Sequence, residues 1–118
     1  MNITFVHADG PIEWTSAEWR SAIPARAFNR TKRHRAHLVG IQDFSSHPGV
    51  AEYACEDSEV IVIQRGAMPP TWPAIEHWRQ RVKIVLADID DGYPQIPPEH
   101  PAWAFWHRGI TAGPDGKP

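Results

Sequence analysis

Three carboxylates stand close together in the second half of the chain, in the segment Asp88-Ile89-Asp90-Asp91. Divalent cations such as Mg²⁺ and Ca²⁺ prefer several carboxylate oxygens, so one interpretation is a metal site built on these aspartates. A second interpretation is a polar site that works without a metal. A third is a turn in which Asp and the following Gly92 are present for their backbone conformations. We expect no cofactor and keep the metal site, made of Asp88, Asp90 and Asp91, only as an alternative.

Polar side chains follow each of the four most apolar segments of the chain. In chain order they are His7 and Asp9, then Asp43 and Ser45, then Gln64 and Arg65, and finally the aspartates that begin with Asp88. If the four segments are parallel strands, these side chains meet at one edge of the sheet, where open α/β sheets bind their ligands. The predicted rim of this cleft consists of His7, Asp9, Gln64, Arg65, Asp88, Asp90 and Asp91. No residue is assigned a catalytic role, and a purely structural ion pair between Asp88 and Arg65 is the competing interpretation.

The four segments predicted as strands are Asn2–Ala8, His37–Phe44, Val60–Ile63 and Lys83–Ala87. The last two are continuous apolar runs joined through a helix, which is typical of parallel strands covered on both faces. The predicted fold is therefore α/β, a small open parallel sheet of about four strands with helices on both faces, Rossmann-like or flavodoxin-like. The first and third strands are the most apolar and should be central. That favours the strand order 2-1-3-4, with 3-2-1-4 as the alternative.

The helical segments carry most of the tryptophans and a run of cations. A capping box formed by Thr15 and Glu18 predicts a helix start, and Pro24 predicts an end or a kink. Trp19 and Trp78 lie on apolar helical faces and are predicted to be in the core, whereas Trp72, Trp103 and Trp106 are freer to stack on sugar rings. The basic residues Arg30, Lys32, Arg33 and Arg35 indicate a solvated helix end, with an anion-contacting patch as the alternative.

Length and composition place the chain among ordinary globular domains, with 118 residues, 42% hydrophobic and 22% charged. We predict one domain over residues 1–108 and a flexible tail over residues 109–118, which is rich in Gly and Pro. No apolar run approaches 18 residues, so no membrane span is expected. The net charge of −2 indicates no basic field for nucleic acid or anionic lipid. The single Cys55 and the absence of a signal peptide favour a reducing cytoplasm.

Three segments together resemble the N-terminal domain of bacterial and phage glycosyltransferases of the GT-B type, which have two Rossmann-like domains. These segments are VIVIQR at residues 60–65, KIVLADIDD at residues 83–91 and IPPEHP at residues 96–101. The resemblance implies an acceptor-side domain of a cytoplasmic sugar transferase, with a sugar or glycan acceptor as its ligand. It also implies that Gln64, Arg65 and the aspartates face a cleft toward a donor domain that binds the nucleotide-sugar. No such domain is present in these 118 residues, so the chain is expected to be incomplete for catalysis alone.

Three functions are consistent with these patterns. The favoured one is the acceptor-side half of a sugar transferase, which would work with a separate donor-binding domain. The second is a non-catalytic binding or interaction module of Rossmann-like fold, with a homo-oligomeric partner at an open sheet edge. The third is a small metal-dependent enzyme built on the Asp cluster. Whether the chain is an enzyme is left open by the sequence.

Overall fold

A computed structural model describes residues 1–9, 15–66, 69–81, 84–89, 95–101 and 103 of the chain. The chain divides into two compact units, Met1–Asp88 and Ile89–Pro118. In the second unit, the described residues include a turn in which the His100 amide donates to the Pro97 carbonyl over 2.9 Å. The predicted boundary after residue 108 lies outside the described residues. No helix in the described part of the chain has the length and apolarity needed to cross a bilayer.

The first unit contains a sheet of four parallel strands. They are β1 (Asn2–His7), β2 (Arg35–Gly40), β3 (Val60–Gln64) and β4 (Ile84–Asp88). The order across the sheet is β2-β1-β3-β4, which confirms the order predicted from the apolar content of the two central strands. In the register, Phe5 pairs with Leu38 on one side and Val62 on the other, and Gln64 pairs with Asp88. The predicted α/β class with an all-parallel sheet is confirmed.

Helices lie on both faces of the sheet, as predicted, but the apolar run of β4 is not fully covered, because Ile84 and Leu86 are 57% and 49% exposed. They are α1 (Ile23–Arg30), α2 (Ile41–Ser46), α3 (Pro48–Cys55) and α4 (Trp72–Gln80). One face packs on α1 through a small core that consists of Ile3, Phe5 and Ala25. The other face packs on α2, α3 and α4 through a larger core that includes Val6, Ile61, Ile63, Phe44 and Trp78. This division follows from right-handed crossovers. The connection from β1 to β2 runs in one direction across the sheet and puts α1 on one face, whereas the connections from β2 to β3 and from β3 to β4 run in the opposite direction and put their helices on the other face.

Pro24 shapes the entry to α1. The residues Glu18–Ala22 form a π-helical turn, in which the Ile23 amide donates to the Glu18 carbonyl five residues earlier. Proline has no amide hydrogen and its ring clashes with the carbonyl four residues before it, so a regular α-helix cannot run through this point. The wider π turn before Pro24 avoids this clash, and α1 then continues to Arg30. The sequence correctly predicted an irregularity at Pro24 and the helical segment after it.

Two expectations from the sequence are wrong. The second strand was predicted over His37–Phe44, but β2 spans Arg35–Gly40 and the chain then turns into α2. Asp43 therefore lies in the first turn of a helix instead of following a strand. Trp19 was predicted to be buried, but its side chain is 70% exposed, whereas Trp78 is 2% exposed as expected. The π-helical turn changes the angular spacing that had placed Trp19 on the apolar face.

Candidate functional site

The carboxyl ends of the four strands meet at one edge of the sheet, and His7, Asp9, Gln64, Arg65 and Asp88 are the predicted rim residues that the structure describes there. The chain leaves β1 toward α1 on one face and leaves β3 toward α4 on the opposite face. The gap between these two adjacent strands is the topological switch point, where open α/β sheets bind ligands. His7 and Asp9 come from the β1 side of this gap, and Gln64 and Arg65 come from the β3 side.

The Gln64 side chain closes the gap between β1 and β3. It is 1% exposed, and its two amide atoms are both satisfied across the gap. Its Oε1 accepts from the Ala8 amide over 3.2 Å, and its Nε2 donates to Asp9 Oδ2 over 3.1 Å. A buried amide needs such partners, since an unsatisfied polar group in the interior costs about 1–3 kcal/mol. Gln64 therefore ties the two central strands together.

Arg65 binds the other oxygen of the Asp9 carboxylate. Its Nη1 donates to Asp9 Oδ1 over 2.8 Å, and its Nη2 donates to Ser16 Oγ over 3.1 Å. The Arg65 and Asp9 side chains are 19% and 24% exposed, so the ion pair is partly shielded from water. The Arg65 amide also donates to the Asp88 carbonyl over 3.0 Å. Arg65 thus connects the ends of β1 and β4 and the chain segment that leads to α1.

The backbone at the end of β3 is strained. Arg65 has a φ of 54°, in the left-handed region that side chains other than Gly and Asn adopt at a cost. The next residue is Gly66, and a Cβ added there would lie 2.1 Å from Ile63 Cγ2. Gly66 is therefore required by the close approach of its backbone to the Ile63 side chain. The turn carries Arg65 at the point where its side chain reaches Asp9.

The ion pair proposed between Asp88 and Arg65 is not the one observed. Asp88 Oδ1 instead contacts Nη1 of Arg20 over 2.5 Å, and Arg20 comes from the π-helical turn. The two side chains are 27% and 38% exposed. The Arg65 backbone amide still donates to the Asp88 carbonyl. Local sequence patterns did not pair Arg20 with Asp88, because the two residues are 68 positions apart and the position of Arg20 depends on how the first crossover packs on the sheet.

A pocket of about 420 Å³ opens at the carboxyl ends of β1 and β2. It is lined by His7, Ala8, Asp9, Gly40, Ile41, Gln42 and Asp43. Its volume is within the range of pockets that bind small molecules. The pocket lies beside the Gln64 network, on the side of β1 away from β3. It depends on α2, because the residues after Gly40 form one of its walls.

Two polar groups face this pocket across Gly40. His7 Nδ1 lies 2.9 Å from the Asp9 carbonyl oxygen, which can only accept, so Nδ1 carries the hydrogen and Nε2 is the acceptor in a neutral imidazole. A Cβ added at Gly40 would lie 3.7 Å from His7 Nε2 and 4.0 Å from Asp43 Oδ2. The other oxygen of Asp43 is 2.8 Å from His47 Nδ1. The pocket therefore presents an oriented imidazole acceptor and a carboxylate acceptor at a glycine.

The arrangement is suited to a ligand that donates hydrogen bonds. Hydroxyl groups can donate to both His7 Nε2 and Asp43 Oδ2, and Gln42 lines the same pocket with an amide. His7 Nε2 could also accept a proton from a hydroxyl, since a histidine held by a carbonyl keeps its second nitrogen available. The sequence identified His7 and Asp9. It placed Asp43 after a strand and attached no role to Gly40.

The aspartate cluster is only partly described. Asp88 is bound by Arg20, whereas Asp90 and Asp91 lie outside the described residues. Among the residues that the structure describes, no group of three His, Cys, Asp or Glu side chains is arranged to hold a metal ion. The roles proposed for Asp90 and Asp91 stay predictions.

The fold and this edge of the sheet define a class, a small Rossmann-like α/β domain with a polar pocket at the carboxyl ends of its strands. The sequence matches no family model, and no curated protein or solved structure is significantly similar to it. The resemblance to glycosyltransferases therefore depends on the residues of the three segments alone.

Proposed function

We propose that this chain is the acceptor-side domain of a two-domain sugar transferase and binds a hydroxyl-rich acceptor in the pocket between β1 and β2. The observation that carries the proposal is the pairing of His7 Nε2 and Asp43 Oδ2 around Gly40 in a pocket of about 420 Å³. Two acceptors that converge on one open position suit vicinal hydroxyl groups, which are the common chemical feature of sugars.

Two further observations support the proposal. The strand order 2-1-3-4 places the pocket next to the topological switch point, where Rossmann-like domains bind ligands. The segments VIVIQR, KIVLADIDD and IPPEHP resemble the acceptor-side domain of glycosyltransferases. Asp9 follows β1 and accepts hydrogen bonds from both Gln64 and Arg65 at the end of β3. These bonds hold the pocket wall in place.

A second candidate function is a binding module without catalysis. It is favoured by the same network, because Asp9, Gln64 and Arg65 satisfy each other within the domain and Asp88 is engaged by Arg20. In this version the pocket still binds a hydroxylated ligand, but no donor domain completes it. The two candidates differ in one property, which is whether sugar transfer appears when a donor-binding domain is supplied.

The pocket is tested by nuclear magnetic resonance titration of the 118-residue chain with glucose, galactose and N-acetylglucosamine. We expect the amide signals of Ala8, Gly40 and Gln42 to shift in a saturable manner. The variant Gly40→Ala should abolish these shifts, because its methyl group would occupy the space between His7 Nε2 and Asp43 Oδ2 at ordinary contact distances. Gly40 has a φ of −72°, so alanine fits the backbone without strain.

The matched control is Gly49→Ala in α3, where an added Cβ meets no atom within 4 Å. This variant should bind the sugars as the wild type does. If none of the sugars shifts the pocket signals, or if Gly40→Ala binds as well as the wild type, the proposed site is wrong. Incubation of the isolated chain with UDP-glucose should give no sugar transfer, and turnover would contradict both candidate functions.

A further inference from the structure

The distribution of charge over the chain is uneven in a way that its net charge of −2 conceals. Residues 18–35 contain six Lys and Arg residues and one acidic residue, Glu18, whereas the rest of the chain contains six Lys and Arg residues and thirteen acidic ones. This segment forms the π-helical turn, α1 and the turn into β2. It lies outside the pocket described above. The net charge indicated no basic field for an anionic lipid, whereas the run from Arg30 to Arg35 left an anion-contacting patch as an alternative.

The cations of this segment point into solvent. Arg26, Arg30, Lys32, Arg33 and Arg35 are all exposed, and we call them, with Trp19 and Ile23, the basic surface. Arg26 has a distant partner in Glu18, at 3.9 Å. Within the described part of the chain, Arg30, Lys32, Arg33 and Arg35 form no ion pair. Glu59, which lies at the same end of the sheet, accepts from the Asn2 amide and is 3.8 Å from the N-terminal amine.

Two large apolar side chains in the same segment of the chain are exposed. Trp19 is 70% exposed and Ile23, four residues later, is 36% exposed. Arg26 and Arg30 follow at spacings of three and four residues, which place side chains on one face of a helix. Ala25 of the same helix is buried in the core between α1 and the sheet. From Ile23 to Arg30 the helix extends for about 10 Å at the usual helical rise.

The turn after α1 is held in a fixed conformation. The Asn29 side chain exchanges two hydrogen bonds with Ala36, its Oδ1 accepting over 2.8 Å and its Nδ2 donating over 3.0 Å. The Thr31 hydroxyl donates to the Phe28 carbonyl over 2.7 Å. Lys32 has a φ of 55°, a conformation that Gly adopts more readily, yet the position holds a cation. The cations are therefore presented on a rigid frame.

We propose that the basic surface binds the surface of an anionic phospholipid membrane, with α1 lying parallel to it. Exposed Lys and Arg side chains in the same segment as an exposed Trp and an exposed aliphatic residue suit the membrane interface, where cations meet lipid phosphates and apolar side chains enter the lipid. Indole favours the headgroup region, the aliphatic side chain enters the acyl boundary, and the cations contact lipid phosphates. A nucleic acid would use the cations but would not bury Ile23. This inference is independent of the proposed acceptor site.

The experiment is flotation of the full chain with phosphatidylcholine vesicles that contain about one third phosphatidylserine, at low and physiological salt. We expect binding to these vesicles, no binding to pure phosphatidylcholine, and weaker binding as salt rises. Each cation near such a surface contributes roughly a fivefold factor in partitioning, so Arg30→Gln with Arg33→Gln should lower it by roughly 25-fold. Trp19→Ala should weaken binding several-fold, because it removes the apolar anchor.

The matched control is Arg79→Gln with Arg81→Gln, which changes the net charge equally at the C-terminal end of α4, at the other face of the sheet. It should bind vesicles as the wild type does. The proposal is overturned if the wild type does not float, if the control loses binding as much as the α1 variant, or if Trp19→Ala binds unchanged. It is also overturned if the chain binds a fluorescent single-stranded oligonucleotide through Arg30 and Arg33 but does not float. Circular dichroism verifies that the exposed substitutions leave the fold intact.

Discussion

Replacing Gly66 by alanine should destabilise the domain through a single steric conflict. The added Cβ would lie 2.1 Å from Ile63 Cγ2 and 3.0 Å from Ile63 Cβ, both well inside van der Waals contact. Ile63 is 1% exposed and packed in the larger core, so it cannot move away without disturbing its neighbours. Overpacking of this kind costs about 1–3 kcal/mol, and we expect the free energy of unfolding to fall by that amount. Gly49→Ala should be neutral or slightly stabilising.

A double-mutant cycle shows whether Ile63 is the cause. Ile63→Ala alone should cost about 2–5 kcal/mol because it leaves a cavity, but it also removes the Cγ2 atom that an alanine at position 66 would strike. The double variant Ile63→Ala with Gly66→Ala should therefore be more stable than the sum of the single effects by about 1–3 kcal/mol. Ile63→Val keeps Cγ2 and should show no such gain.

The assay is urea unfolding followed by circular dichroism, with the midpoint and slope compared between variants. The reasoning is refuted if Gly66→Ala is as stable as the wild type. It is also refuted if its cost adds to that of Ile63→Ala without coupling, since the conflict would then lie elsewhere in the turn.

Three further predictions concern the stability of the first unit. The double-mutant cycle of Asp9→Ala and Arg65→Ala should give a coupling of about 1–3 kcal/mol in urea unfolding, because the pair is half-buried and hydrogen-bonded; a value near zero would contradict the central role of this contact. Lys32→Gly should raise the free energy of unfolding by about 0.5–1 kcal/mol, because glycine adopts the left-handed conformation of this position without strain. Lys32→Ala should give no such gain, and equal melting temperatures for the two variants would refute this explanation. Thr4→Val should lower the free energy of unfolding by about 1–3 kcal/mol, because the buried Thr4 hydroxyl donates to the Ala54 carbonyl and contacts Ser58 Oγ at 2.6 Å. Thr4→Ser keeps the hydroxyl and should lower the free energy of unfolding clearly less.

The elements of the fold with strong local patterns were predictable from the sequence. The continuous apolar run of β3, the apolar β4 after a helical segment, and Pro73 in the first turn of α4 are local signals of strand and helix. The central positions of β1 and β3 followed from their apolar content, because a central strand is covered on both faces. The break at Pro24 followed from the missing amide hydrogen of proline.

The end of β2 was not predictable in the same way. The run Leu38-Val39-Gly40-Ile41 is apolar and short, and such runs fit a strand or a buried helix equally well. The tertiary structure ends the strand at Gly40 and starts α2, whose Phe44 packs against the larger core. Because the chain turns into α2 at this point, the residues after Gly40 form one wall of the pocket and Asp43 lies opposite His7.

The sequence by itself determined which residue types stand at the carboxyl ends of the strands, and so it identified His7, Asp9, Gln64, Arg65 and Asp88 as neighbours of one edge. Only the tertiary structure decided their partners. Asp9 binds Arg65 from 56 residues away and Asp88 binds Arg20 from 68 residues away. Which cation reaches which carboxylate depends on where each crossover packs on the sheet, and local sequence patterns carry no information about contacts at such separations.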